Sequence, residues 1–162
     1  MKLLRTIRFD ASDERVFDLA AAPEEWAVSG AFAFVGAAAN SLTGRSRQSF
    51  ANGFLGAASF GRSTFATVAE AVPADLEEIE GALARRFLSD YGAPDEAAAR
   101  AAAADETSFV RELCRDAPIN TVFTVRRVWD AQGQIKEEFR TIRPPGNEPA
   151  HARIWKVVDD EA

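Results

Sequence analysis

A chain of 162 residues, 47% hydrophobic and 27% charged, has the size and balance of one globular domain, long enough to bury about 70% of the surface of its unfolded form. Its net charge of −6 opposes unspecific attraction to nucleic acid or anionic lipid, which carry the same sign. One cysteine, Cys114, and one histidine, His151, make no zinc or haem set of the common kinds and no internal disulfide, so no cofactor or metal is expected and a cytoplasmic setting fits best.

Arginines in the first eight residues interrupt the apolar run of at least about 7 residues that a signal peptide needs. The longest apolar stretch, 31–39, falls far short of the ~20 residues that cross a bilayer, so no membrane segment is expected. Residues 3–9 alternate, with Leu3, Ile7 and Phe9 on one face and Lys2, Thr6 and Arg8 on the other, as a half-buried strand does; Arg5 is the exception on the apolar face. After a turn over 10–13, residues 15–19 read as a short second strand ahead of Pro23. From 25 to 35, Trp26, Val28, Phe32 and Phe34 share a face and small residues line the other, predicting a strand covered on both sides. Gly30 within it marks a bulge or a close approach of another backbone, and a bend there would split the segment.

Asn40 and Ser41 offer a cap for a short helix over 42–50 that ends near Gly53. β-Branched content predicts a strand over 63–69. Leu76, Ile79, Leu83 and Phe87 then form a stripe at helical spacing over 75–91, with Asp75 and Glu78 resembling a capping box and Gly92 and Pro94 as the stop. A second helix over 95–115 has an alanine-rich first half that permits close contact, and buries Phe109, Val110 and Leu113 in its second. So short a link makes the two helices an antiparallel hairpin with Leu83, Phe87, Phe109 and Leu113 in its shared core. Alternation returns over 119–129 and 135–143, a β-hairpin around 130–133. Residues 144–149 read as a linker, and 153–158 as an additional edge strand. The expected fold is therefore α+β, an antiparallel sheet of about 5–7 strands with the helical hairpin packed on it, in a single domain over 1–143 followed by a proline-rich linker and tail over 144–162.

The glycine-rich stretch 53–64 follows a helix and precedes a strand, the reverse of a phosphate-binding loop, and lacks its lysine; it reads as a tight turn. Cys114 lies beside the buried stripe and reads as a structural thiol. His151 follows the linker with no partner to orient it and reads as solvated. Asp10, Asp13, Glu14, Asp18, Glu77, Glu78, Asp105 and Glu106 read first as turns and solvated helix faces, without the spacing of an EF-hand. No catalytic residue is assigned.

The tetrapeptide Arg-Thr-Ile-Arg stands at 5–8 and again at 140–143, and Arg126 and Arg127 lie in the hairpin partner of the second copy. Arg5, Arg8, Arg126, Arg127, Arg140 and Arg143 are thus the candidate binding residues, a surface for a carboxylate, a phosphate or an acidic protein. Arg140 and Arg143 point to opposite faces of a regular strand, so only part of the set can converge. The plainer reading pairs exposed arginines with Glu137 and Glu138 across the strands.

The segments MKLLRTIR (1–8), EWAVSGAF (25–32), GFLG (53–56) and FRTIRP (139–144) together resemble an uncharacterised family of small alphaproteobacterial proteins with no assigned activity, a likeness that extends to the proline-rich linker. The resemblance implies an accessory role in assembling or regulating a formate-dehydrogenase-like molybdenum enzyme; the lack of a metal-ligand set in the sequence makes that role one of protein contact rather than of carrying the metal. Three functions are weighed, in order: a non-enzymatic accessory domain that binds another protein; a small-molecule or anion-binding module; and a cofactor-free enzyme using carboxylate and arginine chemistry. The oligomeric state is left open.

Overall fold

Alternation in the first segment produces β1 (Lys2–Ile7), the central strand of a seven-stranded antiparallel sheet in the computed structural model, which describes residues 1–37 and 41–142. Strands β2 (Trp26–Val28), β3 (Phe54–Gly56) and β4 (Arg62–Ser63) extend the sheet on one side of β1. On the other side lie β5 (Phe65–Glu70), β6 (Val122–Trp129) and β7 (Ile135–Ile142). Leu3 and Leu4 are both 1% exposed, so β1 is covered on both faces. Arg5 is accommodated there by laying its guanidinium over the Trp26 ring, 3.8 Å from the centroid.

Four helices complete the α+β fold: α1 (Asp13–Val16), α2 (Gly44–Asn52), α3 (Pro73–Asp90) and α4 (Glu96–Cys114). Helices α3 and α4 form the expected hairpin, and α4 lies against β1 and β2. Asp95 caps α4 by accepting the Ala98 N–H at 2.8 Å. At the start of α3 the Val72 N–H donates to the Asp75 carboxylate at 2.9 Å, so Asp75 closes the first turn around Val72 rather than pairing with Glu78.

Three further sequence expectations are corrected, beside the capping pair at Asp75 and the half-buried reading of β1. Residues 15–19 hold no strand: the Asp10 carboxylate takes the Ser12 N–H at 2.8 Å, and the buried Asp13 carboxylate takes the Thr64 hydroxyl at 2.7 Å. Such local side-chain bonds favour a turn, and α1 follows from it. The segment 25–35 is a strand only over β2, because Gly30 turns the chain at φ +83° into a 3₁₀ turn over Ala31–Phe34. Finally, α4 turns Ala99, Ala103, Thr107, Val110 and Cys114 inward, while Phe109 is 43% exposed and Leu113 packs only at the margin of the core. The small residues face inward because they let α4 approach its neighbours closely; Leu83 and Phe87 are buried as expected.

The β6–β7 hairpin positions the site. Its strands pair from Trp129↔Ile135 to Val122↔Ile142, and the Asp130 N–H bonds the Gln134 carbonyl at 2.8 Å across the turn. Pairing with β5 is limited to Ala66↔Phe123 and Thr67↔Val122, so the outer half of the hairpin is free to bend away. It curls back across the sheet: Phe139 of β7 and Phe54 of β3, with four strands between them in the sheet order, have ring centroids only 6.2 Å apart. Among the described residues no helix is long and apolar enough to cross a membrane, and no group of three or more His, Cys, Asp or Glu is placed to hold a metal ion. Residues 144–162, with the strand expected over 153–158 and His151, lie outside the described residues.

Candidate functional site

The structure places the six arginines in different surroundings. Arg5 stacks on Trp26 and donates to the Glu24 carbonyl at 2.8 Å. Arg8, two strands from β6 like Arg5, is tied to the Glu14 carboxylate at 2.9 Å and to the Ala21 carbonyl at 2.5 Å. Arg140 is exposed and pairs with Glu138 on its own strand at 3.3 Å. Arg126 is exposed and Arg127 buried, as neighbours on a strand with one covered face must be. Arg143 lies outside the described residues.

Arg127, 1% exposed, is the bulkiest of the fully buried side chains. The curl of the hairpin drives it into a ring of acceptors. Its Nε donates to Glu137 Oε2 at 2.8 Å, and its Nη1 to the carbonyls of Phe50 at 2.8 Å and Gly53 at 2.9 Å. Its Nη2 donates to the Ser29 carbonyl, while the Ser29 hydroxyl donates to Glu137. Burial lowers the Arg127 pKa, and the Glu137 carboxylate opposes that shift.

A second buried guanidinium shares one of these acceptors. Arg62, 6% exposed, donates to the Gly53 carbonyl at 3.1 Å and the Gly30 carbonyl at 3.2 Å, and lies 4.8 Å from the centroid of Phe34. Burial, then repulsion from Arg127, pushes its pKa down to about 9, which leaves it charged at neutral pH. Glu106 on α4 faces the same cluster. Burial, Glu137 and Asp105 push its pKa up to about 7, against the pull of Arg127. The two guanidinium groups fasten the end of α2, the Gly30 turn and the β6–β7 hairpin to one another.

The side of this cluster that meets solvent is a groove. Where β5 stops, α2 lies along the open edge of β6, held by the Asn52 side-chain N–H on the Val125 carbonyl at 3.4 Å. The cavity of about 570 Å³ is lined by Arg47, Phe50, Asn52, Arg126, Val128 and Trp129, with Arg127 at its back. Phe50 and Trp129 stack face to face, 3.7 Å apart and 6° from parallel. Arg47 and Arg126 are exposed and have no hydrogen bond or ion pair among the described residues. Glu138, the residue opposite Arg126 in the ladder, is engaged with Arg140 instead. Two cations without a partner among the described residues thus line the same cavity as the stacked rings, in a protein of net charge −6.

Sequence reasoning missed Arg62, Glu106, Arg47 and the Phe50–Trp129 pair. A signal for Arg62 was present in the glycines: a Cβ added at Gly30 would meet Arg62 Nη1 at 2.6 Å, and one at Gly53 would meet the Arg62 side chain at 3.0 Å. Both glycines announce a close neighbour without saying which. A family of unknown function (DUF6505) matches residues 1–158 of the chain. No curated protein and no solved structure matches it.

Proposed function

The chain belongs to that family of unknown function, and we propose that it is a non-enzymatic accessory domain that binds an acidic segment of another protein in the groove between α2 and β6. The observation that supports this reading is that Arg47 and Arg126, both exposed and without a partner among the described residues, line the same cavity as the stacked Phe50 and Trp129. Guanidinium groups offer oriented donors to carboxylates, and an aromatic platform suits an apolar or aromatic side chain beside them. Arg127 and Arg62 act behind the groove, since their donors are engaged with backbone carbonyls and with Glu137. The reading also includes a cytoplasmic setting, in keeping with the lone buried cysteine, and an accessory role toward a molybdenum enzyme, as the family resemblance implies.

The test is fluorescence anisotropy with a labelled glutamate-rich peptide containing aromatic residues, titrated at several salt concentrations. Binding should weaken as salt rises, because exposed charges are screened. Arg47→Glu combined with Arg126→Glu should weaken it about tenfold or more, the equivalent of ~1.4 kcal/mol. Equal affinity in the double variant would exclude the groove.

A further inference from the structure

Strand β5 pairs with β6 only through Ala66↔Phe123 and Thr67↔Val122, and past that point the groove is lined by Arg126, Arg127, Val128 and Trp129 in succession. We infer that the acidic segment taken by the groove is extended and joins the sheet as a strand, bonding the unpaired backbone groups of Arg127 and Trp129. This rests on the groove reading and adds to it the conformation of the partner and the backbone contacts that hold it.

Three hydrogen bonds fix which groups of β6 face the groove. The Asp130 N–H on the Gln134 carbonyl across the turn makes Val128↔Lys136, Arg126↔Glu138 and Thr124↔Arg140 the pairs that exchange bonds within the hairpin. The alternate residues Phe123, Val125, Arg127 and Trp129 therefore direct their N–H and C=O groups away from β7. The Val68 N–H on the Thr121 carbonyl at 2.9 Å gives the same alternation from the other side, since it makes Ala66↔Phe123 the pair that exchanges bonds with β5. Asn52 shows it directly, its side-chain N–H reaching the Val125 carbonyl at 3.4 Å. Phe123 is thus met by β5 and the Val125 carbonyl by Asn52, whereas no described residue bonds the N–H or C=O of Arg127 or Trp129.

Arg127 is 1% exposed, so its unpaired backbone groups are screened from bulk water, and a buried N–H or C=O without a partner is costly. A strand laid into the groove supplies partners at Arg127 and again at Trp129, two residues and about 7 Å further on. Ladder bonds ask only for a backbone, so side chains set the selectivity. Residues of the added strand opposite Arg126 and Val128 share their exposed face, where a carboxylate meets the Arg126 guanidinium. Those opposite Arg127 and Trp129 share the face of the Trp129 ring that stacks on Phe50. Alternating acidic and aromatic residues satisfy both faces at once. Arg47 and Arg126 repel the same edge of a second copy, so the occupant is an acidic segment rather than another β6.

Backbone N-methylation of the ligand tests this, since it removes a donor and leaves side chains and charge in place. The probe is a fluorescent peptide of alternating glutamate and tyrosine, about eight residues long, with one version methylated at every glutamate nitrogen and another at every tyrosine nitrogen. Alternate N–H groups of a strand point to opposite edges. In anisotropy titrations with the full chain, one version should therefore lose affinity about tenfold or more and the other should bind like the unmethylated peptide; loss at tyrosine marks an antiparallel strand and loss at glutamate a parallel one. Binding that disappears in Arg47→Glu with Arg126→Glu, yet treats both methylated peptides alike, overturns the strand and leaves the groove standing. No binding of the unmethylated peptide, or binding indifferent to the two arginines, overturns the groove reading and the strand with it.

Discussion

Replacing Arg127 by alanine removes the group on which four acceptors converge. Three carbonyls, those of Ser29, Phe50 and Gly53, lose a charged donor, and the Glu137 carboxylate, 19% exposed, loses its ion-pair partner. Breaking one side of a buried ion pair costs ~3–5 kcal/mol, a large part of the ~5–15 kcal/mol that holds a typical domain together. At ~2–4 °C per kcal/mol for a chain of this size, the melting temperature should fall by about 6–20 °C. Arg127→Lys should recover little of this, since one ammonium cannot reach acceptors spread around a planar guanidinium. Arg126→Ala is the matched control, one residue away and exposed, with an expected cost within ~0.5 kcal/mol. Urea denaturation followed by tryptophan fluorescence measures all three, because Trp129 stacks on Phe50 beside the cluster. A cost for Arg127→Ala below ~1 kcal/mol would show that the guanidinium does not hold these segments, and the explanation of how the groove is built would fail with it.

Two further predictions concern titratable groups. Glu106 is shifted up from 4.5 to about 7 in the folded chain, so between these values the folded state binds more protons than the unfolded one. Its contribution to stability is therefore present in full below about pH 4.5 and is lost as pH rises through about 7. Glu106→Gln should remove that part of the decline in urea titrations run across this range, and parallel curves for parent and variant would refute the assignment. Cys114 is fully buried, and burial raises its pKa to about 11, so little reactive thiolate is present at neutral pH. A thiol reagent should label it slowly in the native protein and rapidly in urea; equal rates would place it at the surface.

Much of the framework is written in local pattern. Period-two runs mark β6 and β7 and the stripe from Leu76 to Phe87 marks α3, because in each the local repeat decides which face is apolar; in β1 the pattern located the strand but not its burial, since Leu3, Leu4 and Thr6 are all buried and β1 is covered on both faces rather than one. The turn between β6 and β7 is equally local, with Gly133 at φ +78° and the Asp130 carboxylate taking the Gln132 and Gln134 N–H groups at 2.9 and 2.8 Å. Expectations failed where a distant partner outweighed the local pattern. Asp13 found Thr64, 51 residues away, and a helical turn stands where a short strand was expected. In α4 the bulky Phe109 yielded the interior to alanines, because close packing against α3 was available to small residues and excluded large ones.

By itself, then, the sequence determined the α+β class, the helical hairpin, the β-hairpin and the fact that Arg126 and Arg127 point opposite ways. Only the tertiary structure decided which of the two is buried. A guanidinium can leave water only where enough acceptors converge to replace it. Those acceptors come from Ser29, Phe50 and Gly53, which lie 98, 77 and 74 residues away along the chain. Their convergence is set by the curl that brings β7 back over β3, and no pattern within a strand encodes it. The groove has the same origin, for Arg47 and Arg126 become neighbours of one cavity only after Arg127 has drawn α2 against the edge of β6.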